Sequence, residues 1–236
     1  MLPKLIKELQ KAANLEQAKI LQRFFKTGEG EYGEGDVFLG IKIPVQRNIA
    51  KNYYGLSLPK IQELLKSEIH EYRMTGIIIL NQKYKKASAE EKENIFNFYL
   101  NNTKNINNWD LVDLSAPIVV GDFLSDRNKK ILYKLVRSDN LWDRRIAIIS
   151  TYAFIKKQDF EDALAISELL LNDTHDLIHK AVGWMLREIG KRNLEVEENF
   201  LKQHYKNMPR TMLRYSIERF EEEKRKKYLR GIINNL

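Results

Sequence analysis

The chain has 236 residues, 43% of them hydrophobic, enough for one large domain or two small ones with a continuous core. It has no cysteine, which excludes disulfides, iron–sulfur clusters and thiolate zinc sites and fits a reducing cytoplasm. No apolar run approaches the ~18 residues of a membrane span, and 40 Lys and Arg against 32 Asp and Glu leave a net +8.

Nearly every segment carries apolar residues three and four apart, and no alternating pattern persists, so the predicted elements are helices. Residues 2–25 read as one helix with Leu5, Leu9, Ala12 and Ala13 on one side. Its start is amphipathic at once and lacks the apolar stretch of a signal peptide. Pro44 starts the next helix, where its missing N–H costs nothing. Ser57 and Pro59 open a helix carrying Ile61, Leu64 and Leu65. Residues 71–86 and 88–100 form a further pair, the second opened by a capping box at Ser88. Pro117 is expected to break the chain, with helices following over 118–136, 141–157, 161–171, 175–192 and 196–205. Asp173, Thr174 and Asp176 offer caps for the helix over 175–192. Pro209 opens a basic helix to Phe220. Glu221 to Glu223 ahead of Lys224 to Lys227 suits the dipole of a last helix.

About a dozen helices on short loops, with Trp109, Trp142 and Trp184 spaced 33 and 42 residues apart, keep the rhythm of HEAT-type repeats. The predicted fold is all-α: one domain over residues 1–236, a right-handed α-solenoid of HEAT-like helical repeats with a concave basic groove. The charge is concentrated accordingly. Residues 127–157 hold nine Lys and Arg against two Asp, and residues 180–236 hold fourteen against eight acids. A face for a polyanion needs such clustering.

Gly28-Glu-Gly-Glu-Tyr-Gly33 matches the dinucleotide fingerprint as a string. It follows a helix rather than a strand, and Glu29, Glu31, Glu34 and Asp36 would repel phosphate, so a flexible loop is expected. His70, His175, His179 and His204 are the only nitrogen ligands available. His175 and His179 stand four apart without the intervening Glu of a zinc helix or an evident third ligand. Neither a metal nor any other cofactor is assigned.

Trp109 and Asp113 share one helix face, one turn apart. Asn107 and Asn108 place them near a helix start, where the dipole eases ionisation of Asp113. The pair reads as the active centre of an enzyme acting on DNA, or as a core Trp with an acid in the first turn. Trp142 and Arg145 also share a face, and Arg144 points about 100° away from Arg145. One of the two arginines grips a phosphate through parallel hydrogen bonds, or both lie on the surface with Trp142 as core filler. Gly183 in mid-helix costs about 1 kcal/mol relative to Ala, which suggests close approach by a neighbouring helix or a ligand backbone. Lys180, Trp184 and Arg187 around it interleave ring and cation as a sugar–phosphate backbone requires.

Four motifs in order, Phe38-Leu-Gly-Ile-Lys-Ile-Pro44, Asn108-Trp-Asp-Leu-Val-Asp113, Ser138-Asp-Asn-Leu-Trp-Asp-Arg-Arg-Ile-Ala147 and Lys180-Ala-Val-Gly-Trp-Met-Leu-Arg-Glu188, resemble those of the AlkD-like DNA alkylation repair enzymes. The resemblance runs from about residue 15 to 220. It implies a HEAT-like solenoid that excises N3- and N7-alkylated purines, with Trp109, Asp113 and Trp184 around the lesion's deoxyribose and Arg145 on a backbone phosphate. Phe24 stands where the excising members carry a Tyr, and the acidic Gly-rich loop after it is an insertion. Some members keep the fold without excising.

The chemistry follows from the residues. A cationic alkylpurine leaves as a neutral base and needs no general acid, so one carboxylate suffices where glycosidases use two. Asp113 stabilises the sugar as it turns cationic, and the indole faces add to this. The function expected is that of a monofunctional glycosylase acting on double-stranded DNA as a cytoplasmic monomer, without a base-reading pocket. Asp113, Trp109 and Trp184 are its catalytic candidates, with Arg145, Arg144, Lys180, Arg187 and Phe24 on DNA. The alternatives are a non-catalytic HEAT-like protein binding distorted or branched DNA, and a protein-binding HEAT scaffold.

Overall fold

A computed structural model describes residues 1–233 of the chain. Among these the regular elements are helical, and extended segments meet only as one isolated parallel bridge between Val37 and Ile69. The helices gather into two compact units, Met1–Phe123 and the residues from Leu124 onward.

In the first unit α1 (Leu2–Lys11) and α2 (Leu15–Phe24) replace the single helix expected over 2–25. Asn14 divides them. Its backbone is extended, and its side-chain oxygen accepts the Gln17 N–H at 2.9 Å, which caps a new start. α3 (Ile43–Ala50) has Pro44 in its first turn as expected. α4 (Leu58–Leu65) follows Ser57, although the Ser57 side chain makes no cap bond. α5 (His70–Lys86) is the hub, buried at every residue from His70 to Asn81 because α1, α3 and α4 pack on it together with α6 (Ala89–Leu100) and α7 (Trp109–Ala116). A helix buried on all sides has no single apolar stripe, and the polar residues of its first turns, His70, Glu71 and Arg73, are buried as well. Ser88 and Glu91 form the expected capping box of α6.

The chain does not break at Pro117. α7 continues through a π turn, Pro117–Gly121, into the short α8 (Asp122–Leu124). Proline has no N–H to give, and the wider turn, closed by the Asp122 N–H on the Pro117 carbonyl, carries the helix past it. The break expected at 117 falls instead over residues 125–129.

The second unit contains α9 (Lys130–Leu135), α10 (Leu141–Ser150), α11 (Tyr152–Lys156), α12 (Glu161–Leu169), α13 (Asp176–Gly190), α14 (Leu194–His204), α15 (Arg210–Ser216) and α16 (Glu222–Arg230). Here α13 is the hub, packed by α10, α11, α12, α14 and α15. Its cap is none of the residues expected. The His175 ring accepts the Leu177 N–H at 3.1 Å, while Asp173 accepts the His175 N–H. Gly183 faces α15 so closely that a Cβ there would lie 2.5 Å from the Met212 carbonyl oxygen and 2.5 Å from Tyr215 Cβ. The close approach foreseen at this glycine is therefore that of a helix. No helix among the described residues is long and apolar enough to cross a membrane.

In Gly183→Ala a better helix former is set against overlap with a packed backbone. Overlap dominates, and denaturant unfolding is expected to show a loss of about 1–3 kcal/mol.

Candidate active site

Asn108 opens α7. Its side-chain oxygen accepts the Trp109 N–H at 2.8 Å, and its amide donates to Asp36 at 3.1 Å. The next residue but one, Asp110, accepts from His70 Nε2 at 2.8 Å, and Asp36 accepts from His70 Nδ1 at 3.2 Å and from Arg73 at 2.5 Å. A chain of charge thus runs Arg73, Asp36, His70, Asp110, with the first three side chains at most 4% exposed. Burial alone would lower the His70 pKa, but the Asp110 and Asp36 carboxylates outweigh it and raise the ring to about 9. Burial would likewise raise Asp36, but the bond from His70 and the charge of Arg73 hold it below the usual carboxylate range.

The same imidazole begins a stack of rings. Phe38 lies on it at 4.6 Å, Phe25 on Phe38 at 5.1 Å, and Trp109 on Phe25 at 5.3 Å, with interplanar angles of 22°, 22° and 16°. Phe24, 61% exposed, meets Trp109 edge-on at 6.0 Å. Trp109 is thus held through its neighbours' backbone caps and through its own face. Asp113, half-buried, follows one turn later on α7.

Beside this stack is a cavity of about 380 Å³, walled by the four aromatic residues with Leu21 and Met74. Lys42 and Arg47 form its exposed edge. Its interior polar groups are already engaged. Glu71 accepts the N–H groups of Leu39, Gly40 and Ile41 at 2.9, 2.8 and 3.1 Å. Gln46 bonds the Ile41 carbonyl and Thr75, while Asp110 accepts from the Leu111 N–H as well as from His70. Gly40 makes the first of these arrangements possible, since its φ of +81° is open to glycine and the Asn14 carbonyl leaves no room for a Cβ.

The acidic loop is more ordered in its bonding than a flexible linker. Glu31 and Glu34 accept the N–H groups of Gly28 and Gly30, and Asp36 turns inward. Asp36, Phe25, Phe38 and the role of His70 escaped the sequence reading. The only local signals were the Phe24–Phe25 pair and the aromatic residue opening the Phe38 to Pro44 motif.

In the second unit the arginines expected on phosphate are turned to other partners. Arg145 is 4% exposed and donates to the Leu177 carbonyl at 2.5 Å. Arg144 pairs with Asp173 at 2.6 Å and donates to the Ser138 and Asp139 carbonyls. Buried guanidinium groups require such acceptors, and Trp142 beside them is core. Arg187 pairs with Glu218. Lys180 pairs with Asp176 at 2.6 Å, both well exposed, and an exposed pair of this kind exchanges its carboxylate at little cost. Trp184, half-buried, donates to Glu188 at 3.3 Å and tilts against Tyr152 at 6.0 Å. Lys156 and Arg192 lie over the Tyr152 ring at 5.2 and 5.8 Å, a cation–aromatic cluster not foreseen. His179 Nε2 lies on the Asp173 carbonyl at 2.5 Å.

The His70 proton is bound more tightly in the folded state than in the unfolded chain, so its contribution is full below about 6.5 and is lost as pH rises towards 9. Glu197, which burial and Glu198 raise to about 8, adds a slope of the same sign. The quantity to read is therefore the difference between wild type and His70→Gln. Thermal melts should show that difference shrinking across this window from on the order of 3 kcal/mol; a difference independent of pH contradicts a charged His70.

A family model described as DNA alkylation repair enzyme matches residues 5–220. No curated protein matches. Among solved structures, one described as a predicted DNA alkylation repair enzyme from Enterococcus faecalis superposes with a TM-score of 0.68 at 19% identity, covering 89% of this chain and 97% of that one. AlkD2 from Streptococcus mutans gives 0.55 at 17% identity, covering 88% and 98%. The protein smu.31 from Streptococcus mutans UA159 gives 0.55 at 16%, covering 87% and 98%. At these identities the likeness is one of fold, an all-α helical-repeat fold.

Proposed function

Because the chain belongs to the DNA alkylation repair enzyme family, we propose that it is a monofunctional DNA glycosylase that hydrolyses the N-glycosidic bond of N3- and N7-alkylated purines in duplex DNA. The observation that carries this reading is Trp109 fixed at the start of α7 by Asn108 and Phe25, with Asp113 one turn on.

The alkylated base already carries a positive charge. As the C1′–N bond breaks, its electron pair leaves with the base, which departs neutral, so no acid has to protonate it. Positive charge passes to the sugar. Asp113 stabilises that charge and orients the water that adds to C1′, whose proton is lost to the carboxylate or to solvent. The indole of Trp109 offers its negative face to the same cation. Trp184, with Tyr152 and the cations around it, is suited to sugar and phosphate of the DNA backbone, and Lys180 meets a phosphate by exchanging Asp176 for it. Arg145, Arg144 and Arg187 support this surface through the partners they hold, and Phe24 presents an exposed ring beside Trp109. Selection rests on the lability of the charged base, which leaves more readily than an uncharged one. The protein acts as a cytoplasmic monomer and uses neither metal nor cofactor.

Wild type is expected to release 7-methylguanine from methylated duplex DNA at a rate unchanged by EDTA. Asp113→Asn should lower the single-turnover rate about 10²–10³-fold while duplex binding persists. If wild type releases no base above the spontaneous rate, the glycosylase reading fails, and retained binding then marks a non-catalytic DNA-binding protein.

A further inference from the structure

Trp184 and Tyr152 are joined by more than the contact of their rings. The Trp184 indole N–H donates to Glu188 Oε1 at 3.3 Å, and Arg192 donates to Glu188 Oε2 at 3.0 Å. The Arg192 guanidinium lies over the Tyr152 ring at 5.8 Å, and Tyr152 tilts back against Trp184 at 6.0 Å. Four side chains thus close a circuit. We propose that Glu188 is a positioning residue for base release, fixing the Trp184 indole so that its face rather than its edge meets the sugar. This deepens the glycosylase reading and rests on it, since Trp184 is the second indole of that reading.

Three observations carry the assignment. First, Glu188 is 6% exposed, unlike the exposed i,i+4 pairs common on helix surfaces. Burial would raise its pKa, but the bonds from Lys191 at 2.5 Å and from Arg192 hold it below the usual carboxylate range. A buried carboxylate is costly unless matched, and here the match is two cations and an indole. Second, Arg192 also donates to the Glu188 carbonyl at 2.7 Å. A guanidinium bonded at both points is a rigid partner, and it gives the carboxylate one orientation. Third, an aromatic ring is positive at its edge and negative on its face. Bonding the indole N–H to a carboxylate turns the repulsive edge towards the protein, and the bonded charge polarises the ring in the same sense. Lys156 and Arg192 stand over Tyr152, so the neighbouring ring takes up these cations.

The test uses the full chain with isotope-labelled indole nitrogens, in which the Trp184 N–H signal is the one missing from Trp184→Phe. In Glu188→Ala that signal is expected to shift and to exchange faster with solvent, while those of Trp109 and Trp142 stay in place. Single-turnover release of 7-methylguanine should fall about tenfold. Duplex affinity should not fall with it, because Lys191 and Arg192 are freed for phosphate. Glu188→Gln keeps an oxygen for the indole N–H and should restore most of the rate. Arg192→Ala opens the circuit at a less buried point and should produce a smaller change of the same kind. An unmoved Trp184 signal in Glu188→Ala and Arg192→Ala overturns the assignment. So does a loss of rate matched by an equal loss of affinity, or a Glu188→Gln no faster than Glu188→Ala. Any of these in a protein whose wild type releases 7-methylguanine leaves the glycosylase reading standing. A wild type that releases no base overturns that reading instead, and the indole signals still decide whether Glu188 holds Trp184.

Discussion

A buried histidine held between two carboxylates fixes the first unit's functional face in place. His70 lies between Asp36 and Asp110, and Arg73 closes the chain on the far side of Asp36. Each of these charges would be costly to bury alone, and each is tolerable because of the next. The residues come from a loop, from α5 and from α7. Their mutual neutralisation therefore fixes three distant segments at once, and with them the start of the helix that carries Trp109 and Asp113. Breaking one link leaves a buried charge unmatched, a deficit that typically reaches 3–5 kcal/mol.

Above that chain the rings are stacked rather than merely packed. Phe38 covers the imidazole, Phe25 covers Phe38, and Trp109 ends the row with Phe24 at its edge. The arrangement gives an indole an orientation that an isolated aromatic on a helix would not have. It also surrounds a cavity with π faces while the hydrogen-bonding capacity of Glu71, Gln46 and Asp110 is spent on the protein itself.

The second unit shows how a count of basic residues overstates free charge. Arg144, Arg187, Lys191 and Arg192 all have acidic partners, and Arg145 is buried against a carbonyl. The cations best placed for a polyanion are Lys156, over the Tyr152 ring, and Lys180, whose competing carboxylate is exposed. Electrostatic attraction here comes from the excess left after pairing.

The helical class, the capping box at Ser88 and the helix start at Pro44 were legible because each depends on residues within one turn of one another, whereas Gly183 marked a close approach without naming α15 as its partner. Asn14 dividing the first helix and the passage through Pro117 were not, since propensity marks a weak point without saying whether tertiary packing will mend it. The sequence alone also determined that Trp109 and Asp113 share a face, because helical spacing is a local rule. Only the tertiary structure decided that Asp36, read as one more acid in a repelling loop, is the buried partner of His70 and Arg73. The same holds for the two arginines after Trp142, which face inward partners instead of solvent. Those outcomes rest on which groups meet across 29 or more residues, and the cost of leaving a charge unpaired away from water, which settles them, is written in no single stretch of the chain.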